Sequence, residues 1–440
     1  MSGVLIADEQ GLGKTVQALA CLEATQAFPS VIVVPTSVRL NWQNEIRRWL
    51  PHRTVTICYG TTPHQVDTDI AIVGWDTLHA WDKTLEPFAV VFDESHLAKN
   101  GQTRRTQSAV AIADGARERG GYVIALTGTP VLNRVGELMA QLRIIGRLNE
   151  FGGARGFKLN FKTPESRPML NRQLRARCFL RRRKDDVLTE LPPKRYAQLL
   201  IEGDPKVMTK YRQAEEDIVN YLAEIVRTAA LASGLDTESA RKAAGEKALR
   251  AQSAQHLVAI TTLKQIAVEA KRHAIDQWLK EFTATGKKVV VFGWHRPIVQ
   301  WVADTYADGC RIQGGMSDAE KQACIEKFQN DETQQVISCS IKAAGVGITL
   351  TSASDVLFME QGWNPADQDQ CADRCHRIGQ VDSVTVYTAL CSETVDEDIY
   401  DLIQNKRVIV DAITDGTVPD PEQEQSVLGE LLVRLANKRQ

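Results

Sequence analysis

"GVLIADEQGLGKTVQALACLEATQAF", residues Gly3–Phe28, opens with a short apolar run (Gly3–Ala7), passes through Gly11-Leu12-Gly13-Lys14-Thr15 and continues in a helical pattern from about Val16. A strand that enters a glycine-rich turn and then a helix forms an anion cradle from backbone N–H groups and the helix N-terminus. In such a cradle Gly11 and Gly13 shape the turn, Lys14 would reach the β- and γ-phosphates of a nucleotide, and the Thr15 hydroxyl would ligate Mg²⁺. One position departs from the general pattern G-x-x-x-x-G-K-[ST]: Asp8 stands where the first glycine is expected. Short Gly/Lys/Thr strings also occur in ordinary loops, so the strand before and the helix after carry the reading.

The rest of the first 150 residues repeats that alternation. "SVIVVP" (Ser30–Pro35), "TVTICY" (Thr54–Tyr59), "DIAIVGW" (Asp69–Trp75), "FAVVFDE" (Phe88–Glu94) and "YVIALTG" (Tyr122–Gly128) read as strands, with helical stretches such as "NWQNEIRRWL" between most of them. Near-continuous Val/Ile runs suit strands buried on both faces of a parallel sheet, and alternating β and α elements imply an α/β domain. From about Asp204 to Phe282 the pattern is helical, with Gly234 as a helix stop, Asp236 as the next cap and "ESARKAAGEKALRAQ" as an exposed helix. Strand–helix alternation then resumes with "KKVVVFGW" (Lys287–Trp294), "CRIQGG" (Cys310–Gly315), "QQVISCS" (Gln334–Ser340), "SDVLFME" (Ser354–Glu360) and "SVTVYTAL" (Ser383–Leu390). Residues from Pro421 onward read as either a short terminal helix or a loose tail.

Composition narrows the class. At 440 residues, 43% hydrophobic and 25% charged, the chain is an ordinary globular one with two to four domains. A net charge of −2 gives no global sign of nucleic acid, but residues 171–195 hold nine Lys/Arg against three Asp/Glu, and residues 391–425 two against ten. The nine cysteines include no C-x-x-C pair, and they read as free thiols of a reducing compartment, not a disulfide frame or zinc cluster. With no apolar run near 18 residues and no signal pattern at the N-terminus, a cytoplasmic protein without a membrane span is expected.

Two further strand ends carry chemistry. "FAVVFDESH" closes on Asp93-Glu94, where Asp93 would hold Mg²⁺, usually through water, and Glu94 would orient and deprotonate an attacking water. The plain alternative is a solvated acidic turn. "LTGTP" (Leu126–Pro130) offers small hydroxyl residues that would sense a γ-phosphate; alone it is a Gly/Pro turn.

D-E-x-G-L-G-K-T, D-E-S-H and L-T-G-T-P, in this order, resemble motifs I, II and III of helicase superfamily two, and within it the SWI/SNF-type branch of double-stranded DNA translocases, whose loop begins with Asp-Glu. "VVPTSVRLNWQNEIRRWLP" (Val33–Pro51) resembles the branch's motif Ia, "IVGWDTL" (Ile72–Leu78) its next DNA-facing motif, "GTPVLNRVGEL" (Gly128–Leu138) the continuation of motif III, and "FLRRRKDDVLTELPPK" (Phe179–Lys194) the basic segment after the first lobe. "KVVVFGWHR" (Lys288–Arg296), "KAAGVGITLTSASDVLF" (Lys342–Phe358) and "GWNPADQDQCADRCHRIGQ" (Gly362–Gln380) resemble motifs IV, V and VI. The resemblance covers about residues 3–410 and leans toward the annealing-helicase subgroup.

Its implications are specific. Arg374 and Arg377, three apart and so on one face of a helix, would clamp a transferring γ-phosphoryl group from the second lobe as the lobes close. An ordinary helix with Asp373 and Arg377 paired is the alternative. Gln370 would add a polar contact to the nucleotide, and Gly345 and Gly347 would allow close backbone approach. Thr36, Ser37, Trp75 and Thr351 match positions where the family touches the DNA backbone, and Arg181, Arg182, Arg183 and Lys184 are either a further DNA contact or a solvated face; such contacts would be sequence-independent and salt-sensitive. Trp294 and Trp363 read as stacking platforms or, more simply, as core packing, and His96 and His295 as members of polar networks.

The expected architecture is therefore α/β: two RecA-like parallel-sheet lobes of P-loop type, at residues 1–200 and 286–412, with a helical insertion and linker at 201–285 and a C-terminal tail at 413–440. The expected activity is ATP- and Mg²⁺-dependent translocation on double-stranded DNA, with ATP in the cleft between the lobes. A strand-separating DNA or RNA helicase and an inactive nucleic-acid-binding scaffold are the rivals. The family's adenine-recognising Gln motif does not precede Lys14 in the 13 residues available, and no chromatin-reading, zinc-finger or nuclease module accompanies the core. A bare, monomeric motor of bacterial or phage type is expected, targeted by DNA structure or a partner protein.

Overall fold

In the first half of the chain, β1 (Gly3–Ile6), β2 (Ser30–Val34), β3 (Val55–Cys58), β4 (Ile70–Gly74), β5 (Ala89–Phe92), β6 (Tyr122–Leu126) and β7 (Phe179–Leu180) join in one sheet, ordered β3-β4-β2-β5-β6-β1-β7. Every pairing is parallel. The segments SVIVV, IAIVG and AVVF are buried along their whole length, as strands covered on both faces must be. Parallel neighbours require crossovers, which helices such as Lys14–Ala24, Arg39–Trp49 and Arg104–Glu118 supply. This computed structural model describes residues 3–98, 100–130, 136–232, 248, 254–344, 347–415 and 427–437.

A second parallel sheet contains β8 (Lys194–Ile201), β9 (Val289–Gly293), β10 (Arg311–Ile312), β11 (Val336–Ser340), β12 (Asp355–Phe358) and β13 (Val384–Cys391), ordered β10-β11-β9-β12-β13-β8. The chain divides into two compact units, Met1–Leu191 with Val408–Pro421 and Pro192–Arg407 with Glu422–Gln440, so the terminal helix Val427–Asn437 is in the second. The α/β class and the two parallel sheets follow the expectation.

The boundary at residue 200 is corrected by β8. Residues 194–201, placed with the first lobe by the sequence pattern, pair along their full length with β13, from Lys194 opposite Val384 to Ile201 opposite Cys391. The stretch expected as a separate insertion is also built into the second unit. Helices Pro205–Ala232 and Ala254–Thr283 share one apolar cluster with Cys391, Val395, Ile399 and Leu431. Inside it the buried Lys271 ammonium donates to the Asp396 carboxylate at 2.5 Å and to the Ala389 carbonyl at 2.7 Å. Gly234, Asp236 and nearly all of the "ESARKAAGEKALRAQ" stretch lie outside the described residues. All nine cysteines are free. Among the described residues no helix is long and apolar enough to cross a membrane.

Candidate nucleotide site

In open parallel sheets, ligands bind beyond the carboxyl ends of the strands. At that edge of the first sheet lie the turn after β1, the Asp93-Glu94 pair after β5 and the Thr127-Gly128 turn after β6. Gly11 and Gly13 adopt left-handed φ of 89° and 76°. Helix Lys14–Ala24 starts at once after Gly13 with no side-chain cap, so its N-terminal amides remain directed into the turn. Lys14 Nζ donates to the carbonyls of Asp8 (2.7 Å) and Glu9 (3.0 Å). Burial pulls its pKa down to about 8, against the opposing pull of the Glu94 and Asp93 charges. Thr15 follows it in the first helical turn.

The Asp8-Glu9 departure has a structural purpose. Beyond β1 and β7 the two segments continue side by side: the N–H groups of Ala7 and Glu9 donate to the carbonyls of Leu180 (2.7 Å) and Arg182 (3.1 Å). Asp8 is fully buried and accepts from Arg182 N (2.9 Å), Arg182 Nε (3.0 Å) and Gln17 Nε2 (3.1 Å), with Arg182 Nη2 also on its Oδ2. Glu9 accepts Lys184 N at 2.6 Å. Arg181 Nη1 donates to the carbonyls of Ala7 (2.9 Å) and Gly128 (3.2 Å). The 181–184 segment is thus a clasp on the turn.

Asp93 and Glu94 meet different surroundings. The Asp93 carboxyl is pushed up to about 6 by burial first and by the adjacent Glu94 charge second. Its Oδ2 accepts Trp42 Nε1 at 2.8 Å and its Oδ1 accepts Glu94 N at 3.0 Å. Glu94 is buried and holds a left-handed φ of 49°, a conformation that costs a non-glycine residue energy and fixes where its side chain points. Its carboxylate meets Gln10 Nε2 at 3.3 Å and His96 Nδ1 at 3.2 Å, and the same His96 nitrogen lies 3.0 Å from Thr127 Oγ1. Gly128 leaves room for Gln10: a Cβ there would stand 2.7 Å from Gln10 Nε2.

Sequence reasoning missed Gln10 and Trp42. Nothing local marks Gln10, whose partner is 84 residues away in the chain. Trp42 did leave a signal, four residues before Ile46 on the one buried face of the helix segment "RLNWQNEIRRW".

Trp75 and Arg181, expected to face DNA, have buried side chains. Trp75 is 1% exposed, packs on Phe92 with ring centroids 5.4 Å apart, and donates from Nε1 to the Asp93 carbonyl at 2.8 Å. A tryptophan immediately after a core strand finds its apolar surroundings there and needs one acceptor for its N–H. Arg181 has a side chain only 6% exposed, and Arg182, at 47%, directs its guanidinium to Asp8. Buried Asp8 must be paired to remain ionised, which draws the basic run inward. Thr36 and Ser37 are exposed in the turn Thr36–Val38 after β2.

In the second unit, Gln370 is buried on helix Pro365–Ala372. Arg374 and Arg377 do not share a helix face, because that helix ends at Ala372 and a run of turns follows. Past Ala372 the bonds tighten to i→i−3, from Arg374 N–H to the Cys371 carbonyl (3.1 Å) and from Cys375 N–H to the Ala372 carbonyl (3.1 Å), and Leu350 N–H takes the Arg374 carbonyl (2.9 Å). Arg377 Nη1 donates to Ile348 O (3.1 Å) and Thr349 Oγ1 (2.9 Å), and Arg374 is buried. Gly347 has φ 77°, Thr351 is half-buried, and Gly345 lies outside the described residues. Trp294 lies between the ammonium groups of Lys264 (5.3 Å) and Lys342 (4.3 Å), and Trp363 lies 4.7 Å from Lys264; both rings pack against core clusters. His295 Nδ1 pairs with Glu360.

A parallel sheet that gathers a glycine–lysine turn, a buried acidic pair and a hydroxyl-bearing turn at one carboxyl edge is of the P-loop nucleotide-hydrolase class. The chain belongs to the SNF2-related family: the SNF2-related domain matches residues 1–272, and the helicase conserved C-terminal domain matches residues 270–379. It is 29% identical over 427 residues to the SWI/SNF-related matrix-associated actin-dependent regulator of chromatin subfamily A-like protein 1 of Xenopus tropicalis, covering 92% of this chain and 42% of that protein. An uncharacterized ATP-dependent helicase of Mycoplasma pneumoniae is 30% identical, covering 98% of this chain and 42% of that one. The human DNA annealing helicase and endonuclease ZRANB3 is 29% identical, covering 94% and 39%. The Sulfolobus solfataricus SWI2/SNF2 ATPase core in complex with dsDNA is similar at 25% identity, with a TM-score of 0.42 and coverage of 95% of this chain and 90% of that one. The chain spans about two fifths of the length of these three sequence relatives. Family membership implies the use of ATP.

Proposed function

We propose that the chain is an ATP-driven motor that translocates on double-stranded DNA. The observation that carries this reading is the convergence of Lys14, Asp93 and Glu94 at one sheet edge, close enough for each carboxylate to act on the lysine's pKa. Lys14 would exchange the Asp8 and Glu9 carbonyls for the β- and γ-phosphates, and the turn at Gly11 and Gly13 would wrap them with backbone N–H groups. Glu94, oriented by Gln10 and His96, would take a proton from the attacking water. Thr127, on the same histidine, would report the state of the γ-phosphate.

The donor set fits magnesium. Asp93 is a hard oxygen donor held near pH 6 by burial and a neighbouring carboxylate, and a divalent cation relieves that repulsion. Asp93 and Thr15 would hold the ion. Bound with the nucleotide, magnesium neutralises phosphate charge. On the resemblance of the 362–380 segment alone, Arg374 and Arg377 are assigned to the transferring phosphoryl group, with Gln370 and Gly347 beside the nucleotide.

Thr36, Ser37 and Thr351 are assigned to the DNA backbone. The names of the relatives support a DNA substrate, and exposed hydroxyls after a strand suit sequence-independent phosphate contacts. A cytoplasmic setting, acting on nucleoid DNA, accords with this reading.

ATPase assays with and without duplex DNA test it. Duplex DNA should stimulate hydrolysis, and Glu94→Gln should lower turnover by at least about a hundredfold while nucleotide still binds. Triplex displacement without strand displacement is expected; unwinding without triplex displacement would replace translocation with strand separation, and absence of any ATPase would leave a scaffold.

A further inference from the structure

Two indoles converge on Asp93 from different segments. Trp42 Nε1 donates to the carboxylate at 2.8 Å, and Trp75 Nε1 donates to the main-chain carbonyl at 2.8 Å. Both tryptophans are buried, so neither N–H has water as a substitute partner. Trp42 stands near the start of helix Arg39–Trp49, which follows directly on the turn Thr36–Val38. The exposed Thr36 and Ser37 and the buried Trp42 therefore belong to one continuous helical segment. The chain is anchored just ahead of that segment, where Trp75 N donates to Val34 O at 2.9 Å, and the segment's first residue stands close to the next strand, since a Cβ on Gly74 would lie 3.0 Å from Thr36 Oγ1.

A packed helix moves as a unit, because close-packed interiors do not absorb a displacement locally. Anything that shifts the turn at Thr36–Ser37 shifts the Trp42 indole, and with it a side-chain donor on the Asp93 carboxylate. Partners of this kind orient a metal-binding carboxylate and tune its affinity.

We propose that Trp42 is a positioning residue that couples nucleic acid at Thr36–Ser37 to Asp93, so that duplex DNA sets the carboxylate in place for the magnesium–nucleotide complex. The proposal rests on the function given above. It makes Trp42 the element through which DNA stimulates hydrolysis, without touching either substrate.

Trp42→Phe in the full chain removes one N–H and keeps an aromatic ring. Duplex binding, followed by fluorescence anisotropy, should change less than about twofold. The stimulation factor should fall at least about fivefold, and the magnesium concentration for half-maximal activity should rise about tenfold. Independently of activity, the indole ¹H–¹⁵N resonance of Trp42 in the wild-type chain should move when duplex DNA is added without nucleotide. Unchanged stimulation and magnesium requirement in a folded Trp42→Phe chain would overturn the coupling, as would an indole resonance that stays still while DNA binds. If the variant does not fold, the wild-type resonance decides alone. A wild-type chain that binds DNA but is not stimulated by it would instead sink the function itself, and the coupling with it.

Discussion

Asp8 is a fully buried anion in a turn built to receive anions, and that requires explanation. A carboxylate there repels phosphate unless its charge is consumed. Arg182 consumes it, through Nε at 3.0 Å and through its main-chain N–H at 2.9 Å, with Gln17 as a third donor. These hydrogen bonds lower the Asp8 pKa even though burial, the largest single influence, pushes it upward. The pair fastens the start of the turn where the general pattern relies on glycine. Arg182→Ala leaves Asp8 buried without its counter-charge and should cost about 1–3 kcal/mol, less than a fully buried pair because Arg182 is half exposed. Asp8→Asn should cost less, and the double variant should cost less than the sum of the two. Urea unfolding of the four chains measures this cycle; additive effects would show that the two residues act separately. Residue types in order were enough to nominate Asp8-Glu9 as distinctive, but the partner of Asp8 is 174 residues away, so what the acid does was not legible. For the same reason Arg181, its side chain only 6% exposed, looked like a surface for DNA: a charge run in sequence does not say which charges the fold will draw inward.

At the scale of elements, strands buried on both faces announced themselves as apolar runs, and the eleven expected strands all form. β7, only two residues long, and β8, with its polar alternation "KRYAQLLI", did not, since an edge strand is defined by its partner more than by its own pattern. The arginines of the 362–380 segment were misplaced because helical spacing runs past Ala372 in the sequence, while the backbone there tightens into i→i−3 turns at Arg374 and Cys375. Helix Ala254–Thr283, read as part of an insertion, is bound into the second unit by cations. Lys264 donates to Gln361 O at 2.6 Å beneath the rings of Trp294 and Trp363. Burial lowers its pKa from 10.5 to about 8, against the pull of Glu360 and Asp396. Between those two values the unfolded chain holds more protons than the folded one, so this group's contribution to stability rises with pH from about 8 to 10.5. Lys264→Met lacks that contribution. The stability of wild type relative to Lys264→Met should therefore increase across this window, by up to about 1.4 kcal/mol per pH unit. Denaturant titrations at several pH values check it; a flat difference would mean the ammonium keeps its ordinary pKa in the fold, and a falling one that the fold raises it.

At the scale of the molecule, the division at Leu191-Pro192 separates the glycine–lysine turn and its acidic pair from the arginines of the 362–380 segment. Each unit has its own sheet and its own apolar clusters, so each is expected to unfold as a cooperative block. A ligand stabilises only the block that holds it. On the proposed function, ADP with magnesium would present its phosphates to the turn at Lys14 and would lack the γ-phosphoryl group assigned to Arg374 and Arg377. Calorimetry should therefore resolve two transitions, of which saturating ADP–magnesium raises one. At a hundred times the dissociation constant the gain is about 2.7 kcal/mol, enough to displace that transition by several degrees. Lys14→Ala should abolish the displacement and leave the other transition where it was. A non-hydrolysable ATP analogue, which carries the γ-phosphoryl group, should move both transitions in the wild type, and only the first in an Arg374→Ala, Arg377→Ala chain. If ADP moves both transitions together, the two units unfold as one and their separate assignment of phosphate groups falls. If the analogue moves no more than ADP does, the arginines do not engage the γ-phosphoryl group, and their assignment falls.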